Sequence, residues 1–337
     1  MDNKRNVSFD ILRIIACIMV IMIHAPRPNS GLSALTCTSI SLFCAPCMGL
    51  FFLISGALLL PVKESYFTFL RRRLNKILVP TIFFILFYIS VLPPPEGYSV
   101  VSVVKTILSI PFSPQGHGVL WFMYTLIGLY LIAPIISPFL QQASKQELQF
   151  ILALWAITLC WPLLSIALSV ETSNTGMLFY FSGYLGYFVL GYYLNRFPIK
   201  LKGITLLVLF SLSPIIYLLN KHFGWNLDFY GAFWNLGILC ALQVLFWHQV
   251  ITQYIKPIKF SPKSISAISA VSKCTFGIYL FHIYFMRSII WKFEAFYAFH
   301  PLVQLCLTIL FTAILSFSAT YLIAKTPLGK YIVGCRL

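Results

Sequence analysis

Arg13 and His24 are the residues of the first apolar stretch whose side chains could do chemistry. They lie eleven positions apart in the run RIIACIMVIMIH. Eleven steps of an α-helix make about three turns, so both side chains project from one face, roughly 16 Å apart along the axis. An imidazole is a natural general base for a hydroxyl group, and an arginine within a membrane usually marks a substrate or ion path. The spacing therefore predicts a site that extends over about half of a bilayer.

Asp10 lies three residues before Arg13, so the two side chains share a face of the predicted helix. One interpretation is an intrahelical ion pair that allows Arg13 to lie at membrane depth. The other is that Arg13 serves a substrate or ion path and that Asp10 holds it in place. The residues alone leave both interpretations open.

Histidines at the ends of apolar stretches commonly lie at the membrane interface. We expect His248 and His300 there, and by itself His24 fits the same description. Its position on the face of Arg13 favours a functional role for His24 instead.

A second group of residues is basic. Arg71, Arg72, Arg73 and Lys76 are expected in a short loop at the foot of the third membrane helix, with Glu64 as the nearby acid. Guanidinium groups bind phosphate through two parallel hydrogen bonds, and clustered cations suit a pyrophosphate. The alternative is a basic anchor that binds anionic lipid headgroups.

The composition indicates the elements that must position these residues. The chain is 59% hydrophobic and 9% charged, whereas a soluble protein has about 25% charged residues. We therefore predict an all-α polytopic membrane protein. Runs long enough to cross roughly 30 Å of hydrocarbon predict ten transmembrane helices, at 9–25, 40–61, 77–92, 119–138, 149–169, 177–194, 203–219, 229–249, 271–290 and 301–324.

The distribution of Lys and Arg predicts the orientation. With the N-terminus inside, the inner segments carry 18 of these residues and the outer segments carry 5. Since cytoplasmic loops carry the excess of positive charge, we expect both termini in the cytoplasm. Orientation and contact with membrane lipids account for the net charge of +16, so nucleic acid is not an expected partner.

We expect the first helix to be retained, because His24-Ala25-Pro26-Arg27 is a poor signal-peptide cleavage site.

The nine cysteines show no paired spacing of metal ligands. Cys44 and Cys47 form a CxxC pattern at the start of an apolar helix, where small side chains that pack between helices are expected. We predict no metal site.

With no internal repeat or low-complexity linker, residues 1–337 are expected to form a single transmembrane domain without an appended extracytoplasmic domain.

Several other residues permit a structural and a functional interpretation. Ser55-Gly56 is expected to be a small-residue contact between helices, and the alternative is a hydroxyl that lines a substrate channel. Tyr279 and His282 are three residues apart and share one side of the ninth helix, as structural or as site residues. Trp121 lies where an aromatic belt is expected.

Six segments resemble the integral-membrane acyltransferase family 3, bacterial O-acyltransferases that acylate sugars of surface polysaccharides and related glycoconjugates. They occur in the family's order and span most of the chain: FDILRIIACIMVIMIH, FFLISG, FLRRRLNKILVP, LWFMYTLIGLYLIAPII, GYFVLGYYL and TFGIYLFH. Family members often have a histidine directly before Leu-Trp-Phe. This chain has Val119 there, and its nearest histidine is His117.

The resemblance implies transfer of an acyl group, foremost acetyl, from cytoplasmic acetyl-CoA to a hydroxyl of a glycan or lipid-linked glycan at the outer face of the bacterial inner membrane. Acetyl-CoA is then a donor substrate, and no permanently bound cofactor is expected. His24 would act as general base or transient acyl carrier, while Arg13, fixed by Asp10, would hold the pantetheine arm or stabilise the oxyanion. Binding of the nucleotide phosphates would fall to Arg71, Arg72, Arg73 and Lys76. The channel or acceptor site would be lined by Ser55, His117, Trp121, Tyr279 and His282.

A transporter or flippase is the alternative from another class, because it also uses charged residues within the membrane. Such a protein would need coupling carboxylates at membrane depth. Of the eight acidic residues, only Asp10 is expected near that depth. The sequence therefore favours the acyltransferase.

Overall fold

The protein is predominantly helical in the ranges that the computed structural model describes, which are 6–91, 99–109, 112, 120–170, 173, 175–256 and 258–337. No strand occurs in these ranges. Eight helical segments there are long and apolar enough to cross a membrane, and a bent pair of helices would make a ninth. The predicted class, an all-α polytopic membrane protein, is confirmed.

Fifteen α-helices follow one another along the described residues. They are α1 (Val7–His24), α2 (Ala34–Cys44), α3 (Cys47–Leu59), α4 (Tyr66–Val91), α5 (Val100–Ser109), α6 (Trp121–Gln142), α7 (Lys145–Leu159), α8 (Trp161–Leu168), α9 (Leu185–Arg196), α10 (Gly203–Phe223), α11 (Phe229–Ala232), α12 (Ile238–Val250), α13 (Pro262–Ile283), α14 (Pro301–Ala324) and α15 (Gly329–Ile332). A π-helical turn, Tyr284–Ile289, continues α13.

The helix count differs from the expected ten at two places. The segment expected at 177–194 contains a short 3-10 turn and then α9, whose 12 residues reach only about 18 Å. The segment expected at 149–169 is divided into α7 and α8, which are bent by 55°. Pro162 lies in the first turn of α8 and cannot donate a backbone hydrogen bond to α7, which explains the break.

The chain divides into two compact units. The first unit comprises Met1–Ile23, Ser33–Val62 and Ile136–Ser272. The second unit comprises His24–Leu32, Lys63–Ile135 and Lys273–Leu337.

In the first unit, α3 and α9 cross with their backbones in contact. A Cβ atom at Gly56 would lie 1.8 Å from the carbonyl oxygen of Phe188, and one at Gly191 would lie 1.9 Å from that of Leu53. Neither position has room for a side chain. The helix contact expected at Gly56 is therefore confirmed, and Ser55 beside it is half-buried.

Three cysteines of the first unit pack between helices as expected. Cys44, Cys47 and Cys240 are buried free thiols. Cys240 on α12 donates a hydrogen bond from its Sγ to the carbonyl oxygen of Ala45, at 3.4 Å, in the short break between α2 and α3.

In the second unit, aromatic side chains join α4 to α13. The Tyr88 hydroxyl donates to the carbonyl oxygen of Leu280 at 2.7 Å, and the rings of Phe84 and Phe281 have centroids 4.8 Å apart. Helix α14 contributes buried hydroxyl groups at every fourth position, which places them on one face. These residues are Thr308, Thr312, Ser316 and Thr320.

Candidate active site

Two histidines from distant parts of the sequence meet in the second unit. His24 is the last residue of α1, and His282 is the second-last residue of α13. Their ring centroids are 5.2 Å apart in an edge-to-face arrangement. The π-helical turn begins two residues after His282, and such turns are frequent at functional sites. The pair places two groups capable of proton transfer side by side.

His282 has a defined protonation state in this arrangement. Its side chain is only 1% exposed, and its Nδ1 lies 2.5 Å from the carbonyl oxygen of Tyr279. Because a carbonyl oxygen only accepts hydrogen bonds, Nδ1 must carry the proton. In a neutral ring Nε2 is then an acceptor, and this atom is buried without a hydrogen-bond partner. His282 therefore presents an unsatisfied acceptor in a buried place.

Aromatic side chains hold His282 in position. The ring of Tyr279 lies 5.6 Å from the His282 ring and 5.5 Å from that of Phe122, measured between centroids. Tyr279 and His282 thus lie on one side of α13, as the spacing predicts. Trp121, the half-buried first residue of α6, contacts Phe122 edge-to-face at 6.4 Å.

Asp10 and Arg13 form the ion pair expected within α1, in the first unit. Nη1 of Arg13 lies 3.9 Å from Oδ1 of Asp10. That same oxygen accepts a hydrogen bond of 2.6 Å from the Ser272 hydroxyl on α13. Asp10 is buried, and it therefore connects the start of α1 to α13 while it offsets the charge of Arg13.

The expectation that His248 lies at the membrane interface is wrong. His248 is buried on α12 with 4% of its surface exposed, and its ring packs against Phe9 with centroids 6.4 Å apart. Gln249 and Gln253 extend this polar group, with Nε2 of Gln253 donating to Oε1 of Gln249 at 2.9 Å. Tertiary packing alone buries these side chains, so no local sequence pattern could indicate them. His300 is exposed, and its Nδ1 accepts from the backbone of Leu302 at the start of α14.

The basic residues lie on a helix rather than in the expected loop. Helix α4 begins at Tyr66, so its first three turns carry all four cations. At about 100° per residue, Arg72, Arg73 and Lys76 lie within an arc of roughly 100°, whereas Arg71 points about 160° away from Arg73. We call Arg72, Arg73 and Lys76 the basic face of α4.

The members of the basic face differ in their partners. Arg72 forms an ion pair with Glu64, the acid that the sequence indicated. The Nε atom of Arg73 is buried without a hydrogen-bond partner. Helix α15 packs against α4 and brings Lys330 near Lys76. Nothing in the sequence spacing relates Lys330 to α4, so this contact could be found only from the structure.

The predicted site residues thus fall into separate groups. The second unit contains His24, Tyr279, His282, Trp121 and the basic face of α4. The first unit contains Asp10, Arg13 and Ser55. His117 lies outside the described residues. Within the ranges that are described, no group of three His, Cys, Asp or Glu side chains could hold a metal ion.

A family profile described as an acyltransferase domain matches residues 6–321 of the chain. The match includes the histidine pair, the Asp10–Arg13 ion pair and the basic face of α4. No curated protein and no solved structure matches the chain.

Proposed function

The chain belongs to the integral-membrane acyltransferase family 3, and we propose from this premise that it transfers an acetyl group from acetyl-CoA to a hydroxyl group of a glycan or lipid-linked glycan. Membership of the family and the eight long apolar helices among the described residues make it a multi-pass membrane acyltransferase. The acetyl donor, the glycan acceptor and the residue roles are the proposal. The observation that carries it is the His24–His282 pair, 5.2 Å between ring centroids.

His24 is the proposed general base. It takes the proton of the acceptor hydroxyl while the oxygen attacks the thioester carbonyl carbon. The new carbon–oxygen bond forms as the carbon–sulfur bond of acetyl-CoA breaks, and the proton passes to the sulfur to give free CoA. A positioned base of this kind contributes about 10² to 10⁴ in rate. The same bonds form and break overall if His24 first carries the acetyl group itself.

His282 is a positioning residue in this proposal. With its Nδ1 proton directed to the Tyr279 carbonyl, its ring is fixed and its Nε2 can only accept. Its edge-to-face contact with the His24 ring restricts the orientations of that ring, so that one nitrogen of His24 can be directed to the acceptor hydroxyl. This is the support that a general-base histidine generally requires.

The basic face of α4 is the proposed binding site for the phosphates of acetyl-CoA. Arg73 and Lys76 have no ion-pair partner among the described residues, and Lys330 adds a further positive charge near Lys76. A cluster of unneutralised cations attracts a pyrophosphate strongly. Arg72 is already paired with Glu64 and is expected to contribute less.

Arg13 is proposed to act on the donor's acyl end, either by holding the pantetheine arm or by stabilising the oxyanion. Removing a single oxyanion donor in other acyl-transfer enzymes slows kcat by about 10² to 10³. Asp10 fixes the orientation of Arg13. With 18 basic residues predicted on the inner side and 5 on the outer, the basic face of α4 lies in the cytoplasm and His24 toward the outside of a bacterial inner membrane.

The proposal is tested with purified protein, radiolabelled acetyl-CoA and glycan acceptors from bacterial surface polysaccharides. We expect the wild type to label the glycan and His24→Ala to lose at least about a hundredfold in rate, because the base is removed. His300→Ala is the matched control, since this exposed histidine lies at the start of α14. A His24→Ala protein that is folded and labels glycan at the wild-type rate would contradict the mechanism. Glycan transport without label transfer would favour the transporter.

A further inference from the structure

The C-terminal segment of the second unit packs against α4 through α15. Gly334, two residues after α15, has a left-handed backbone with φ of 69°. A Cβ atom at Gly334 would lie 2.6 Å from the ring of Phe276 on α13 and 3.0 Å from the carbonyl oxygen of Lys76 on α4. Only glycine adopts this backbone shape at such a close approach without strain. The segment therefore lies directly on the backbone of the basic face.

Further contacts hold α15 in place from both sides. The backbone N–H of Leu337 donates to the carbonyl oxygen of Ala324 at 3.0 Å, which joins the segment to the end of α14. A Cβ atom at Gly329 would lie 2.6 Å from the Cα atom of Ala324. Val333 is fully buried. Lys330, which lies between these contacts in sequence, is therefore presented by a fixed turn beside α4.

The charge of Lys330 is available to a ligand. Lys330 is exposed and has no ion-pair partner among the described residues, and its Nζ lies 5.6 Å from the centroid of the Tyr331 ring. Two acids occur in the described part of the second unit, and one of them, Glu64, pairs with Arg72. The other, Glu294, precedes α14 whereas α15 follows it, and the 24 residues of α14 reach about 36 Å. Neither acid therefore neutralises Lys330.

The unpaired cations come from two separate elements. Arg73 and Lys76 belong to α4 and together match a diphosphate, which leaves Lys330 on α15 for a second phosphate group. CoA has two such groups, because its ribose carries a 3′-phosphate in addition to the 5′-diphosphate. The phosphopantetheine group of an acyl carrier protein has a single phosphate. The arrangement of the cations therefore fits CoA better than a carrier protein.

We propose that Lys330 binds the 3′-phosphate of the acyl donor, while Arg73 and Lys76 bind its diphosphate. This inference rests on the proposed function and specifies the donor class as a 3′-phosphorylated nucleotide thioester. Lys330 is then a specificity-determining residue that contacts the donor away from the reacting thioester. Its charge selects among donors that have the same acyl end.

The test measures donor binding without transfer, by titration calorimetry on protein in phosphatidylcholine nanodiscs with no glycan acceptor. The probes are CoA and 3′-dephospho-CoA, which differ only in the 3′-phosphate. We expect the wild type to bind CoA at least about tenfold more tightly, because the dephospho form lacks a charge-assisted hydrogen bond. Equal affinities for the two probes would overturn the inference.

Variants assign the preference to Lys330. Lys330→Gln should bind CoA as weakly as the wild type binds 3′-dephospho-CoA and should leave the affinity for 3′-dephospho-CoA within about twofold. Lys330→Arg should retain the preference, because its guanidinium also binds phosphate. Arg73→Gln should weaken the binding of both probes by a similar factor.

Lys325→Gln is the matched control. It removes a cation of the same C-terminal segment, whose Nζ lies 4.5 Å from the centroid of the Tyr321 ring, and it should leave the preference unchanged. A preference that survives Lys330→Gln, or one that Lys325→Gln also abolishes, would show that Lys330 does not bind the 3′-phosphate.

Anionic lipid headgroups are the other source of phosphate for Lys330. The same titrations in nanodiscs that contain phosphatidylglycerol distinguish the two sources. A donor site keeps its preference for CoA in these nanodiscs. Loss of the preference there would assign Lys330 to the lipid surface and overturn the inference.

The outcome is separable from that of the proposed function. A protein that prefers CoA through Lys330 and transfers no acetyl group to any glycan would support the donor assignment and contradict the proposed reaction. A protein that transfers acetyl with equal KM for acetyl-CoA and acetyl-3′-dephospho-CoA would support the reaction and contradict the role of Lys330.

Discussion

His282 shows how a single residue can be unfavourable for folding and still fit a catalytic role. Its Nε2 is buried without a partner, and such an atom costs about 1 to 3 kcal/mol of stability. The hydrogen bond from Nδ1 to Tyr279 offsets part of that cost. Buried polar atoms without partners require an explanation, and here the neighbouring His24 ring supplies one.

We predict that His282→Leu changes stability by less than about 1 kcal/mol, because the lost hydrogen bond and the removed unsatisfied acceptor nearly cancel. Acetyl transfer should nevertheless fall at least about tenfold, since the His24 ring loses the edge-to-face contact with the imidazole that packs against it. Thermal unfolding and the initial rate of transfer measure the two effects. His300→Leu is the control, because it makes the same change at an exposed histidine. A variant that is destabilised yet transfers acetyl normally per folded molecule would show that His282 is only structural.

Most of these residue contacts could not be predicted from the sequence. The spacing of Asp10 and Arg13 predicts their ion pair, and that of Tyr279 and His282 predicts a shared side, because both pairs follow the helical repeat. The contact of His24 with His282 joins positions 258 residues apart. No local pattern contains such a contact, and the burial of His248 depends on tertiary packing in the same way.

The basic residues of α4 show that hydropathy alone can misplace the start of a helix. The polar start of α4, from Tyr66 to Lys76, interrupts the apolar pattern, so the sequence predicts a loop there. The structure continues the helix, because its apolar positions Phe69 and Ile77 are buried. On a helix, three of the four cations project from one face and Arg71 projects from the opposite side, whereas a loop would not fix these directions. The opposite error occurs at α9, where an apolar stretch is too short to span.

The helical arrangement predicts unequal roles for the neighbouring arginines. Arg73→Gln should raise the apparent KM for acetyl-CoA about tenfold or more, because a charge-assisted hydrogen bond contributes about 1.5 to 3 kcal/mol. Arg71→Gln removes the same charge from the opposite side of α4 and should leave KM within about twofold. Steady-state kinetics with varied acetyl-CoA measure both. Equal effects of the two substitutions, or none for Arg73→Gln, would remove the phosphate role from the basic face.

Apolar side chains on the outside of the described helices explain the high hydrophobic content of the whole molecule. Helix α10 is the clearest case, because only 11% of its most apolar window is buried within the protein. Large apolar side chains such as Ile204, Leu207 and Leu218 lie on its outside. A surface of this kind is stable against lipid tails and would promote association in water. Composition therefore predicts the class of the protein, while the helix boundaries depend on packing.

The proposed orientation makes the acetyl group cross the membrane. In the proposed reaction the donor would bind at the basic face of α4 on the cytoplasmic side, and the acceptor hydroxyl would meet His24 toward the outside. A soluble acetyltransferase has both substrates in one compartment, and this protein would have them in two. The direction of transfer, from the cytoplasm outward, follows from the excess of basic residues in the segments predicted to face the cytoplasm.

Transfer in sealed proteoliposomes, with the two substrates on opposite sides, tests most directly whether the protein moves the acetyl group across the membrane. Protein of known orientation receives radiolabelled acetyl-CoA on the side of α4's basic face, and the glycan acceptor is enclosed on the other side. We expect labelled glycan in the compartment that never contained acetyl-CoA, and at least about a hundredfold less of it when His24→Ala replaces the wild type. If label reaches the glycan only when both substrates share one compartment, transfer across the membrane is contradicted.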